Sequence, residues 1–231
     1  MSRRLSAFAA LLGVATAIVV VAVVVSSRGG TAARPAPAGG DPTAVLAGIP
    51  QHGIVLGDPK APVLLVEFAD PQCPFCRRFA TETLPAIIRR YVRTGKVRME
   101  LRLMTFLGED SVRGAKALTA AGMQDRMWEA AARFYDVQGP ENSGYVTDAF
   151  LRGVLSGVRR LDVARAMADR AAPRVAEELG EVHTMQSRYG VTATPTLLIG
   201  SDVANLRTVS VQTPSPEQIG ATIDAELAKH T

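Results

Sequence analysis

Cys73-Pro74-Phe75-Cys76 stands at the junction of two segments with different hydrophobic periods. Ahead of it, Val63-Leu64-Leu65-Val66-Glu67-Phe68-Ala69 is a short, nearly continuous apolar run between Pro62 and Asp70-Pro71, the pattern of a central buried strand. Behind it, Cys76, Phe79, Ala80, Leu84, Ile87, Ile88 and Tyr91 recur at helical spacing. Pro85 should kink that helix and Gly95 end it. Residues 97–103 then alternate Val97, Met99, Leu101 and Leu103 against Arg98, Glu100 and Arg102, which reads as a strand with one face buried. Strand, helix and strand in this order make a βαβ unit.

The chain turns helical from about residue 108 to 190. Thr147 and Asp162 are expected N-caps, residues 138–144 a loop, and Pro173 a break. Trp128, Phe134 and Tyr135 recur at helical spacing and read as core of this block rather than as a substrate platform. Residues 196–199 and 206–211 form a hairpin, and an amphipathic helix with Ile219, Ile223 and Leu227 on one face closes the chain. The fold class is therefore α/β, in the order βαβ, an inserted helical block, then ββα.

Composition narrows the function. The chain has 231 residues, 47% of them hydrophobic, which is enough for one sizeable core and excludes wholesale disorder. Two cysteines exclude a disulfide-dense scaffold. The net charge of +4 resides at the start of the chain: Arg3, Arg4, Arg28 and Arg34 are four of the 26 basic residues, and no acidic residue precedes Asp41. The remaining 22 basic residues meet 22 acidic ones, so the body is neutral and lacks the footprint of a nucleic-acid binder.

Residues 5–25 contain no charge and, as a helix, are long enough to span a bilayer. Arg3 and Arg4 before the run orient it with the amino terminus in the cytoplasm and the body exported. An uncleaved single-pass anchor is the expectation; a cleaved signal peptide, with Ala32-Ala33 near the cut, is the competing reading. Residues 26–50, rich in Gly, Pro and Ala, read as a flexible linker, and 51–231 as the catalytic domain. Either reading of 1–25 places that domain outside the cytoplasm, on the periplasmic or cell-surface side of the membrane.

The placement of the cysteines carries the chemistry. Cys73 at a helix amino terminus meets free backbone N–H groups that favour its thiolate. Cys76, one turn on, is near enough to close a disulfide, so the pair suits thiolate attack followed by resolution. Two bland readings compete. An inert staple across so short a loop restrains the unfolded chain little. A zinc site lacks ligands, because His52, His183 and His230 stand at no ligand spacing; no metal is expected. Glu67 interrupts the apolar strand six residues before Cys73, where a buried carboxyl can take up or relay the proton of Cys76. Thr194-Pro195 opens the 196–199 strand; a cis-Pro beside the dithiol would bar continuous pairing and leave Thr194 backbone groups for an extended substrate, whereas an ordinary trans-Pro in a loop is the alternative.

Together, the Val66-Glu67-Phe68 strand, Cys73-Pro74-Phe75-Cys76, Glu82-Thr83-Leu84-Pro85, the helical block and Val191-Thr192-Ala193-Thr194-Pro195-Thr196 resemble the DsbA-like thiol–disulfide oxidoreductases of the thioredoxin superfamily, over nearly all of residues 54–229. The resemblance implies a thioredoxin-like fold around a central mixed sheet with an inserted helical domain. It implies Cys73 as exposed nucleophile, Cys76 as buried resolving thiol, Glu67 as buried proton acceptor and cis-Pro195 with Thr194 facing substrate, while Pro74 and Phe75 modulate the pair. Phe75 departs from the His found there in many strong oxidants of the family, so a cationic ring does not assist the thiolate. The expected activity is oxidation of exported cysteine-containing proteins, with no cofactor besides the Cys73–Cys76 disulfide and with a membrane redox partner to reoxidise it. A reductase or isomerase of the same fold, and a non-enzymatic tethered binding or chaperone module, are the rivals.

Overall fold

The computed structural model describes residues 40–211 and 214–230. The expected anchor at 5–25 and the linker up to residue 39 lie outside them. Among the described residues no helix is long and apolar enough to cross a membrane.

Six strands form one mixed sheet in the order β1-β2-β4-β3-β5-β6. These are β1 (Gln51–His52), β2 (Val55–Leu56), β3 (Val63–Ala69), β4 (Val97–Leu103), β5 (Thr196–Gly200) and β6 (Arg207–Val211). β3 lies parallel to β4, with Glu67 opposite Leu101, and antiparallel to β5, with Glu67 opposite Leu197. Every residue of β3 is buried, as its unbroken apolar run requires. The two-residue strands β1 and β2 extend the sheet beyond β4 and are too short to leave any periodicity in the sequence.

The helical run that opens at Pro74 reaches Val92 and is here α1. It alternates α-helix (Pro74–Arg78 and Leu84–Ile87) with π-helical turns (Phe79–Thr83 and Ile88–Val92). Pro85 lacks an N–H, and the wider turn just before it is where the ladder loosens. The insertion supplies α2 (Glu109–Gly122), α3 (Met127–Asp136), α4 (Asp148–Ser156), α5 (Val163–Asp169) and α6 (Pro173–Tyr189); α7 (Pro216–Leu227) is the last helix. Thr147 and Asp162 cap α4 and α5 by accepting the amides of Phe150 (3.1 Å) and Arg165 (3.0 Å). Trp128, Phe134 and Tyr135 are buried core residues.

Alternation along β3 sorts the core into two layers. Val63, Leu65 and Ala69 share a layer with α1 and the insertion, whereas Leu64, Val66 and Phe68 pack with Val182 of α6 and Val191. Glu67 has the parity of the first layer, beneath α1.

Two expectations need correction. The charged face of β4 is largely covered: α6 packs on it, Glu100 and Arg102 are buried with Arg98 half-buried, and the Arg102 guanidinium bonds Glu100 (2.7 Å) and Glu178 of α6 (2.9 Å). The packed body also begins before residue 51. Leu46 and Ile49 are buried, Arg93 donates to the carbonyls of Val45 (2.7 Å) and Ala47 (3.1 Å), and Asp41 pairs with Arg133 at 3.2 Å. Buried Leu46 and Ile49 together with these polar contacts dock a stretch that is otherwise rich in Gly and Pro.

Candidate active site

β3 ends at Ala69, a turn at 70–73 follows, and Cys73 becomes the N-cap of α1 with Pro74 in the first helical position, where its missing N–H is no loss. The Cys73 N–H donates to the Asp70 carbonyl at 3.0 Å. Both cysteines are free thiols here, so this is the dithiol form. Cys76 is fully buried, and Cys73 exposes 4% of its surface. The expected exposed nucleophile is thus a nearly covered one: the 194–195 loop lies over it, and the Cys73 thiol donates to the Thr194 carbonyl at 3.3 Å. Pro74 and Phe75 beside it are exposed, Phe75 by 52%.

The Thr194–Pro195 peptide bond is cis, and Thr194 and Pro195 are buried immediately before β5. One carbonyl of this loop is already engaged by the thiol in the dithiol form, whereas the sequence alone suggested free backbone groups.

The electrostatics separate the two sulfurs. The Cys73 thiol is held down at about 6, chiefly because the Cys76 thiol donates to its thiolate. Burial opposes the shift, and the Thr194 side chain and the amides of Cys76 and Phe75 reinforce it, whereas the bond to the Thr194 carbonyl belongs to the protonated thiol. Helix amides therefore contribute, but the neighbouring thiol contributes more. Cys76 is pushed well above 9.0 by burial first, then by its bond to Cys73 and the proximity of that thiolate.

Glu67 exposes 1% of its surface, and burial alone raises its carboxyl to about 8. It borders a cavity of ≈ 40 Å³ walled mostly by apolar side chains, among them Leu84 and Ile88 of α1, Trp128 of α3, and Val45 and Leu46.

The sequence reading missed the polar residues around the turn. Asp70 and Gln72 are fully buried side by side, with Ser111, Gln138 and Asn142 of the insertion bonded to the 70–73 segment. The only available signal was an uncharged polar residue placed directly before the first cysteine.

Comparison with known proteins agrees with this construction. A family model described as thioredoxin matches residues 50–225. A Bacillus anthracis protein named "Probable disulfide bond formation protein D" is 27% identical over 177 residues, 75% of this chain and 78% of that one. The Bacillus subtilis (strain 168) "Disulfide bond formation protein D" is 23% identical over 151 residues, 64% and 68% of the two chains. Oxidised BdbD from Bacillus subtilis superposes with a TM-score of 0.65 at 21% identity, covering 78% of this chain and 97% of its own. Chlamydia trachomatis DsbA superposes at 0.64 and 23%, covering 77% and 91%. At such identities the superpositions speak for the fold. The chain belongs to the thioredoxin family and is a thiol–disulfide oxidoreductase similar to the Bacillus disulfide bond formation proteins.

Proposed function

We propose that this enzyme works outside the cytoplasm as an oxidant, donating its Cys73–Cys76 disulfide to exported proteins. The observation that carries the reading is the asymmetry of the dithiol: one sulfur stabilised as thiolate at the helix start beside Thr194, the other deeply buried and held as thiol. A site that stabilises its reduced form passes its disulfide on.

In the proposed cycle a substrate thiolate attacks Cys73 Sγ, the Cys73–Cys76 bond breaks, and Cys76 leaves as a thiolate. Glu67, still protonated near neutral pH and electrostatically coupled to Cys76, supplies a proton to it. A second substrate thiolate attacks the substrate sulfur of the mixed disulfide and releases Cys73 as thiolate. Two electrons have passed from substrate to enzyme, carried by sulfur alone, so no cofactor is required. Reoxidation runs the same steps in reverse against a disulfide held by a membrane partner, and Glu67 receives the Cys76 proton.

Thr194 and Pro195 place an extended substrate segment across Cys73, and Pro74 and Phe75 form the adjoining contact surface. Phe75 and Phe106 are exposed, and the carbonyl of Leu107, next to Phe106, accepts from Gln72, the residue before Cys73. Apolar side chains at the rim suit unfolded polypeptide substrates. In this reading residues 5–25 anchor the chain in the membrane, and the body, packed from about residue 41 onward and carrying the insertion at about 108–190, works on the side away from the cytoplasm.

Reduced, unfolded substrate protein tests the assignment. Cys73→Ser should lower disulfide transfer at least about a hundredfold, and Cys76→Ser, offered instead a disulfide-bearing substrate whose disulfide Cys73 attacks with release of one substrate thiolate, should accumulate a mixed disulfide on Cys73. Oxidation by Cys73→Ser at the unaltered rate would overturn it.

A further inference from the structure

The turn that delivers Cys73 is held largely by the insertion. The Asp70 carboxylate accepts the amides of Gln72 (2.9 Å) and Leu107 (3.3 Å) and the hydroxyl of Ser111 (2.5 Å). The Asp70 carbonyl accepts the Tyr135 hydroxyl at 3.2 Å. The Gln72 side chain donates to the Leu107 carbonyl (2.8 Å) and Ser111 Oγ (3.0 Å) and accepts the Asn142 amide (2.6 Å). That loop is closely fitted: a Cβ on Gly108, at φ +103°, would lie 2.5 Å from Asn142 Oδ1. Gln138, at the start of the loop that follows α3, is buried and sends its amide to the carbonyls of Pro71 (2.7 Å) and Cys73 (3.2 Å).

The last contact bears on the nucleophile. The Cys73 carbonyl already accepts the Arg77 N–H at 3.1 Å, as the helix demands, so the second donor is not needed to satisfy it. What the second donor does is orient. Fixing the carbonyls on both sides of residues 72 and 73 fixes the backbone torsions there, and with them the direction in which Cβ and Sγ of Cys73 project. Strand pairing provides no such restraint, because β3 has already ended.

We propose that Gln138 is a positioning residue for disulfide exchange: its side-chain amide, reaching from the insertion to the carbonyls of Pro71 and Cys73, holds the Cys73 sulfur against the helix amides and Thr194. The inference rests on Cys73 being the nucleophile, as argued above. It gives the inserted helices a part in the redox chemistry that the thioredoxin core does not supply by itself.

The titratable and charged groups around Cys73 are Cys76 and Arg77 of α1, Glu67 of β3, Asp70 of the turn and Tyr135 of α3. The β5 side contributes the uncharged Thr194 and Pro195. All stay unchanged in the variants below, so a movement of the Cys73 profile reports geometry.

The test follows alkylation of Cys73 by iodoacetamide against pH in the full chain, together with the glutathione equilibrium at pH 7. The unaltered protein should reach half its plateau rate near pH 6. Gln138→Leu should displace the profile upward, slowing alkylation at pH 6 about two- to fivefold, and should weaken the enzyme as an oxidant of glutathione by a similar factor. Gln138→Asn keeps the donor but shortens its reach; it should move both readouts the same way by less, and it decides the matter if the Leu variant does not fold. Tyr91→Phe, which removes a buried bond to the Gly220 carbonyl far from the thiol, should move neither. Profiles unmoved in folded Gln138 variants would overturn the role of Gln138 alone. A profile in the unaltered protein centred near about 8.5, the value of a free cysteine, would instead remove the nucleophile assignment beneath it.

Discussion

Burial and contact act in opposite senses on the ionisable groups of this site, and each shift has a consequence that can be measured. Lowering Cys73 from 9.0 to about 6 favours the folded dithiol at pH 7 by about tenfold over one with an ordinary thiol. For a two-electron couple that factor is about 30 mV of added oxidising power. Cys76 is neutral at that pH in both folded and unfolded chains, so its upward shift adds nothing there. Glu67 is costly to keep. With its carboxyl at about 8 when folded and 4.5 otherwise, the native state holds a proton that the unfolded state releases. Stability contributed by this group is therefore complete below about pH 4.5 and declines as pH rises through 8. Glu67→Gln, compared with the unaltered protein in its disulfide form by urea denaturation, should be equally stable near pH 4 and more stable by up to about 3 kcal/mol at pH 7. A gap that stays constant with pH contradicts a protonated buried acid.

Among the elements, β4 and α6 show what a periodic pattern conveys and what it leaves out. Alternation in residues 97–103 assigned the strand and its apolar face correctly, yet it read the opposite face as open. A Glu/Arg face looks alike whether water or a complementary charged helix meets it, and Glu178 lies 76 positions from Arg102 in the chain. With the Arg102 side chain 8% exposed, the pair with Glu100 is strongly coupled to the fold. Arg102→Met leaves Glu100 buried without its cation and should cost about 3 kcal/mol in denaturant titration. Arg102→Met combined with Glu100→Met should recover part of that loss; a double variant as unstable as the sum of its singles would mean that the two side chains do not interact. The helical run α1 gives the contrasting case: Pro85 announced an irregularity in the sequence, and the structure resolves it as π-helical turns rather than a break.

At the level of the whole molecule, the residues that do the chemistry were legible because they are local. A buried strand, a CxxC and a helix follow one another without interruption, and Pro195 marks the start of the strand that returns beside them. The residues that aim the chemistry were not, because Gln72, Ser111, Gln138 and Asn142 meet only through tertiary packing of the insertion on the turn. Two-residue strands and the docking of Leu46 escaped for the same reason: each is stabilised by distant partners rather than by its own pattern. What unites the three scales is the claim that the folded chain favours its dithiol. Equilibrating the enzyme with glutathione of known ratio at pH 7 measures that preference directly. The account predicts a potential more positive than about −200 mV, whereas a value at or below about −270 mV, where thioredoxin lies, would contradict it.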